Sequence, residues 1–339
     1  MGVWLPKWKK QAEEWTYIEF EKHQVPNGLA RTTIEANAWY LHIVLHSMRV
    51  VHVRKGISKF YGAAHSWISV AHIGQGTAEF QVLTTPSQLK DVDAANLDRV
   101  ITMDRRLLGP TPFRGGDVSL ELGLFSIKSA DLAGPFLEIL QTMSGLAGVS
   151  FVSAALPLLG PIKDGINLLA GAEKDSILEV GYSRDAWAPE TGFAAVIRVP
   201  RGTIDTKSLR IGTDGRLEDK TGVAVRDFPY MVWSVDVKDK RPDWFQIPEL
   251  KAAYDALNAD VKRGELDAVN TAFAVLRRSV LTSPDLLFKD AELIVKVVDQ
   301  QVRQTMQPIQ TGYQSGPTKG LKALEDLTPF GATATTPQE

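Results

Sequence analysis

The hydrophobic period of this chain changes at Pro248, and that change restricts the fold more than any other feature of the sequence. Ahead of it, apolar residues tend to alternate, which puts them on one face of a strand; after it they recur every three or four residues, which puts them on one face of a helix. Leu250, Tyr254, Leu257 and Val261 form a first stripe that Gly264 closes, and Pro248 suits a first helical turn. Leu266, Val269, Phe273, Leu276 and Val280 form a second. Ser283-Pro284-Asp285 opens a third that carries Leu287, Ala291, Ile294, Val298 and Val302. The pattern predicts three consecutive amphipathic helices within 246–308, each burying its stripe. Beyond them the composition turns to Gln, Thr, Gly and Pro, so 309–339 reads as a flexible tail.

The region 36–245 reads as a β-rich body. Residues 36–53 are rich in β-branched and aromatic types and give one long strand or a pair. Ser66–Val70 and Thr77–Leu83 flank Gly74-Gln75-Gly76, a hairpin signal, with Ala78, Phe80 and Val82 on one face. In 117–127, Val118, Leu120, Leu122 and Leu124 alternate with Ser119, Glu121 and Gly123 until Phe125 breaks the pattern. Further strands are expected at 100–103, 177–182, 194–199, 209–211 and 230–237, with Thr213-Asp214-Gly215 as a turn. Short links between strands favour antiparallel pairing, because parallel neighbours need a crossover. The fold class is therefore α+β: an antiparallel β-sandwich, of C2-like or jelly-roll-like topology, with a helical insertion at 129–171 and a C-terminal helical region. Residues 1–35 form an N-terminal aromatic and basic segment.

With 44% hydrophobic and 23% charged residues over 339 positions, the chain has the composition of a folded globular protein. Lys plus Arg total 38 against 40 Asp plus Glu, so a net charge of −2 supplies no general attraction to nucleic acid. The absence of cysteine removes disulfides, thiolate metal sites and cysteine nucleophiles. Lys7, Lys9 and Lys10 are followed by Glu13 and Glu14 rather than by an apolar run, so no export signal is read and the expected compartment is the cytoplasm.

Familiar catalytic signatures are missing: no Gly-x-Ser-x-Gly, no phosphate-binding glycine loop, no His-Glu-x-x-His. His42, His46, His52, His65 and His72 cluster early in the β-rich body. On a single strand His42, His46 and His52 share a face, but the outer two stand about 33 Å apart, so they read as partly exposed strand histidines rather than metal ligands. Asp91, Asp93 and Asp98 are oxygen donors that could take Ca2+ between loops, although Ala95 and Asn96 depart from a calcium-loop pattern; solvated, helix-capping aspartates are the plainer reading. Asp104, Arg105, Arg106, Arg114 and Asp117 gather charge around one strand connection, and arginine forks suit a carboxylate or phosphate on a ligand or partner, unless they pair internally.

Residues 139–162 contain no charge, and Leu146, Val149, Phe151, Val152 and Leu156 give them an apolar character. Pro157 and the intervening Gln and Ser make a buried or partner-binding hairpin the default; an insertion into a bilayer after a trigger is the alternative. Trp4, Trp8 and Trp15, interspersed with lysines, suit either docking on the sandwich or an interfacial contact with a membrane or partner. Taken together the sequence points to a non-enzymatic binding or accessory protein that assembles with a protein partner or a second copy. A membrane-acting effector using 134–171, and a hydrolase or transferase around the Asp and Arg residues, are its rivals.

Overall fold

The structure, a computed structural model, describes residues 15–51, 54–55, 58–72, 76–83, 101–128, 151, 176–200, 202–313 and 316–331. The chain divides into two compact units, one of residues 1–36 and 41–237, the other of residues 37–40 and 238–339.

The first unit is an antiparallel β-sandwich. One sheet contains β1 (Trp15–Glu19), β2 (Tyr40–Arg49), β6 (Ile101–Pro112), β9 (Gly192–Arg198) and β12 (Tyr230–Lys238) in the order β1-β9-β12-β2-β6. The other runs β3 (Arg54–Lys55), β4 (Ser58–His72), β7 (Val118–Lys128) and β8 (Ser176–Trp187), with β5 (Gly76–Leu83) also paired to β4. The expected hairpin is β4–β5, registered from His65 opposite Leu83 to His72 opposite Gly76. Alternation builds the core directly. Val118, Leu120, Leu122 and Leu124 of β7 meet Ile68 and Val70 of β4 and, from the other sheet, Leu41, Ile43, Leu45, Met231 and Trp233. Each such aliphatic side chain, sealed from water, contributes about 1.5–3 kcal/mol.

Strand β9 does not alternate; Phe193 to Ile197 are all buried. Both faces of its sheet are covered. Ala194 and Val196 enter the sandwich core, while Phe193, Ala195 and Ile197 enter a second core with Phe20, Leu209, Ile211, Leu217, Tyr230 and Val232. The small hairpin of β10 (Arg210–Ile211) and β11 (Leu217–Glu218) contributes to that cover, and its turn is the expected Thr213-Asp214-Gly215. Gly212 N donates to Arg216 O at 2.8 Å, and Arg216 N to the Asp214 carboxylate at 3.1 Å.

Two expectations for the first unit need correction. Asp104, Arg105 and Arg106 lie within β6 rather than in a connection, because that strand continues to Pro112. As an edge of its sheet, β6 tolerates charges and the prolines Pro110 and Pro112, which a central strand would not. Residues 15–19, assigned to an aromatic segment, form the opposite edge strand, β1. The helical insertion at 129–171 lies outside the described residues apart from Phe151, which is half-buried.

The second unit holds α1 (Pro248–Arg263), α2 (Leu266–Leu281) and α3 (Phe288–Gln310). The expected stripe of α1 is buried entire, as Leu250, Tyr254, Leu257 and Val261. On α2 Val269, Leu276 and Val280 are buried while Leu266 and Phe273 are half-buried; on α3 Ala291, Ile294 and Val298 are buried, joined by Asp290 and Met306, and Val302 is half-buried. Gly264 ends α1 at φ +76°, donating to Asp260 O and Val261 O; a Cβ there would also strike Gly316 O. The tail is a correction. Residues 317–331 are strapped along α1: Leu321, Leu324 and Leu327 are buried, Tyr254 Oη donates to Lys322 O at 2.7 Å, and Leu321 N donates to Asn258 Oδ1 at 2.7 Å. Three leucines at a spacing of three supply the apolar face that the Gly- and Thr-rich composition concealed. Among the described residues no helix is long and apolar enough to cross a membrane.

At the entrance to α3, Tyr40 Oη donates to Asp290 Oδ2 at 2.6 Å and accepts from Leu287 N at 3.0 Å. Burial pushes the Asp290 carboxyl above the usual carboxylate range, partly opposed by the Tyr40 hydrogen bond. A raised folded-state pKa means the stabilisation is complete below about pH 3.9 and is lost as pH rises through the folded value. Relative to an Asp290→Asn variant, the wild type is therefore expected to be most favoured at and below about pH 4 and to lose ground as the pH rises above it. Urea unfolding of both proteins across that range checks this; curves that stay parallel would refute it.

Candidate functional site

On the side of the sandwich where β1 and β8 form the sheet edges, aromatic and charged side chains line a cleft. Tyr17 of β1 stacks on Tyr182 of β8 with centroids 4.8 Å apart, and both rings reach Trp233 of β12, at 6.1 and 4.8 Å. The approach of the two edges is set by Trp15, whose ring lies against Gly181 so closely that a Cβ there would come within 2.7 Å of it. Trp15 is thus docked on the sandwich core.

A chain of ion pairs rims the aromatic floor. Glu19 takes Arg31 on one carboxylate oxygen and Arg184 Nη1 on the other, the latter at 3.2 Å; Arg31 also meets Glu190 at 2.5 Å. Arg184 lies over Trp187 at 5.5 Å. The Arg31 segment is fixed because Thr191 Oγ1 donates to Ala30 O at 2.6 Å and accepts from Thr32 N at 3.1 Å. Exposed pairs of this kind contribute at most about 1 kcal/mol each, so the rim orients side chains more than it stabilises the fold. Burial, reinforced by Tyr182, raises the Tyr17 phenol well above its ordinary value, and burial raises Tyr182 too. Both are neutral hydroxyls at physiological pH, suited to hydrogen bonding rather than to acting as bases.

The free volume of the cleft is about 40 Å³. Small-molecule sites commonly enclose ~300–1,000 Å³, so the cleft is too small to enclose a ligand of that kind. A wider depression of about 430 Å³ shares Tyr17 and Glu19 and is otherwise lined mainly by polar groups such as Glu21, His23, Gln24 and Lys207. Tyr17, 39% exposed, stands between the two.

The anticipated Asp and Arg residues do not form one site. Asp104–Arg106 lie near the start of β6 and Arg114 and Asp117 beyond its end, separated by roughly 25 Å of extended chain. Arg106 and Asp117 are exposed and Arg114 is half-buried. Arg105 is half-buried too, its Nε and Nη2 are sealed without a hydrogen-bond partner, and burial lowers its pKa. Asp104 goes elsewhere: its Oδ1 lies 2.5 Å from His46 Nδ1, and His46 Nε2 lies 2.8 Å from Ser234 Oγ. To reach His46, Asp104 adopts φ +37°, a conformation costing a non-glycine residue about 1–3 kcal/mol. Trp4, Trp8, Leu146, Val149, Val152, Leu156 and the aspartates Asp91, Asp93 and Asp98 lie outside the described residues. Among the described residues no three His, Asp or Glu side chains come together as metal ligands.

The sequence reading passed over Tyr17, Arg31, Tyr182, Arg184, Trp187, Trp233 and Ser234. A signal for some of them exists: Trp15, Tyr17 and Glu19 alternate on one face of β1, as do Tyr182 and Arg184 on β8. The molecule is defined as an α+β protein with an antiparallel β-sandwich and a three-helix unit. No protein-family model, curated protein or solved structure matches the chain.

Proposed function

We propose that this chain is a binding or accessory protein that assembles with another protein, or with a second copy of itself, through the cleft between β1 and β8. The observation that carries this reading is the grouping of Tyr17, Tyr182, Trp187, Trp233 and Arg184 around a surface too shallow for a small ligand. Tyr, Trp and Arg are the side chains that dominate binding energy at protein interfaces, because they bury large areas at little entropic cost and still offer a polar tip. The cytoplasm is the expected place of action.

Photo-crosslinking tests it. A benzoylphenylalanine installed at position 17 is expected to give several-fold more adduct in cells than the same group at Val223, which is 59% exposed and does not line the cleft. An adduct at twice the chain mass identifies a second copy and any other mass a different protein. Equal yields at the two positions would overturn the assignment.

A further inference from the structure

Three neighbouring strands of the first sheet, β12, β2 and β6, each contribute one polar side chain to a single row. Ser234 Oγ lies 2.8 Å from His46 Nε2, and His46 Nδ1 lies 2.5 Å from Asp104 Oδ1. A carboxylate can only accept, so the proton of a neutral imidazole resides on Nδ1, and Nε2 is left to accept the Ser234 hydroxyl proton. Phe193 holds the ring on its face, stacked at 4.8 Å with 24° between the planes. Ser47, next to His46, donates to Gly215 O at 2.7 Å and ties this point of β2 to the β10–β11 turn.

Packing alone does not call for this row. The Asp104 side chain is 81% exposed and would be solvated without help, yet its backbone takes a left-handed conformation that brings the carboxylate to Nδ1. Held strain of that kind marks functional positions, and a hydroxyl, a base and an orienting carboxylate in hydrogen-bond reach are the parts of an activated nucleophile.

We propose that Ser234 is a nucleophile activated by His46 and that it takes acyl groups from small carboxylic esters. Small substrates are specified because Ser234 is only 4% exposed and the His46 side chain 18% exposed, so a bulky acyl group has no room beside the hydroxyl. Ser234 Oγ attacks the ester carbonyl carbon as its proton passes to Nε2; the tetrahedral adduct collapses, the alcohol departs with that proton, and the acyl group remains on Ser234. Water then attacks the acyl-serine, giving its proton to Nε2, and the carboxylic acid leaves as the proton returns to Oγ. Asp104 is a positioning residue that keeps the imidazole in the tautomer both steps need.

Diisopropyl fluorophosphate is the probe, since an activated serine displaces its fluoride and keeps the phosphoryl group. With the intact protein the adduct is expected to map to Ser234 and to vanish in Ser234→Ala. His46→Gln should slow labelling by about 10²–10⁴-fold. Asp104→Asn, on the surface and tolerant of substitution, should slow it by about tenfold or more and move the inflection of the pH–rate profile, whereas Arg106→Gln on the same strand should change neither. No adduct at Ser234 in folded wild-type protein, or labelling of His46→Gln or Asp104→Asn within about twofold of wild type and with an unmoved pH profile, would overturn the proposal.

Discussion

Replacing Arg241 by methionine is expected to destabilise the helical unit by about 3–5 kcal/mol, as removal of one partner from a buried ion pair generally does. The Arg241 and Asp285 side chains are both fully buried, with Nη1 3.3 Å from the Asp285 carboxylate and 3.0 Å from its carbonyl oxygen. Nε reaches the Asp243 carboxylate at 3.2 Å. Together these contacts join the segment entering α1 to the segment entering α3. Methionine fills much of the same volume, so the loss comes from removing the buried counter-charge of the Asp285 carboxylate rather than from a cavity. The double variant Arg241→Met with Asp285→Leu should therefore regain most of the loss, because a buried pair and a well-packed apolar pair are often close in free energy. Urea unfolding, with hydrogen exchange in α3 as the local probe, measures both. A single-variant loss under about 1 kcal/mol would mean that Asp285 is not held as a buried counter-charge.

The second large effect is expected at Trp233. This residue is 2% exposed and belongs to both the sandwich core and the floor of the cleft. Trp233→Ala should cost about 3–5 kcal/mol through lost transfer energy and the cavity left behind. It should also leave Tyr17 and Tyr182 without their shared support. Tyr17→Ala, at a position 39% exposed, should cost only about 1 kcal/mol while removing the most accessible ring of the cleft. The pair of variants thus separates stability from partner binding, with circular dichroism melts reporting the first and crosslink or sedimentation yields the second. Comparable melts for the two variants would contradict the placement of Trp233 in the core.

How much of this was legible depended on how locally each feature is determined. The β7 alternation of Val118, Leu120, Leu122 and Leu124 could be read because its buried face is written in consecutive residues, and the three helical stripes for the same reason. The β4–β5 hairpin could be read because Gly74 and Gly76 sit between alternating runs. Strand β6 was cut short because Asp104-Arg105-Arg106 was read as part of a connection, and its place at a sheet edge is what makes those charges tolerable. The row of Ser234, His46 and Asp104 was invisible for a different reason. His46 and Ser234 are 188 residues apart and meet only because β12 and β2 are neighbours, an order that no periodicity encodes. The aromatic cleft likewise depends on which strands become edges, so the sequence reading had no reason to group its rings.

Strand β12 lies between β9 and β2 in the middle of its sheet, although it is the last strand of that sheet in the sequence. On a ribosome this makes the centre of the sheet the latest part to exist. Until residues 230–238 emerge, β2 and β6 have no bridge to β1 and β9, and each half presents an unpaired edge. Tyr40 waits longer still, for an aspartate 250 residues downstream, an interval of roughly 12–50 s at ordinary rates of translation. Until residue 238 has emerged the first sheet is therefore two part-sheets with open edges, whose unpaired backbone groups are templates for pairing with another chain.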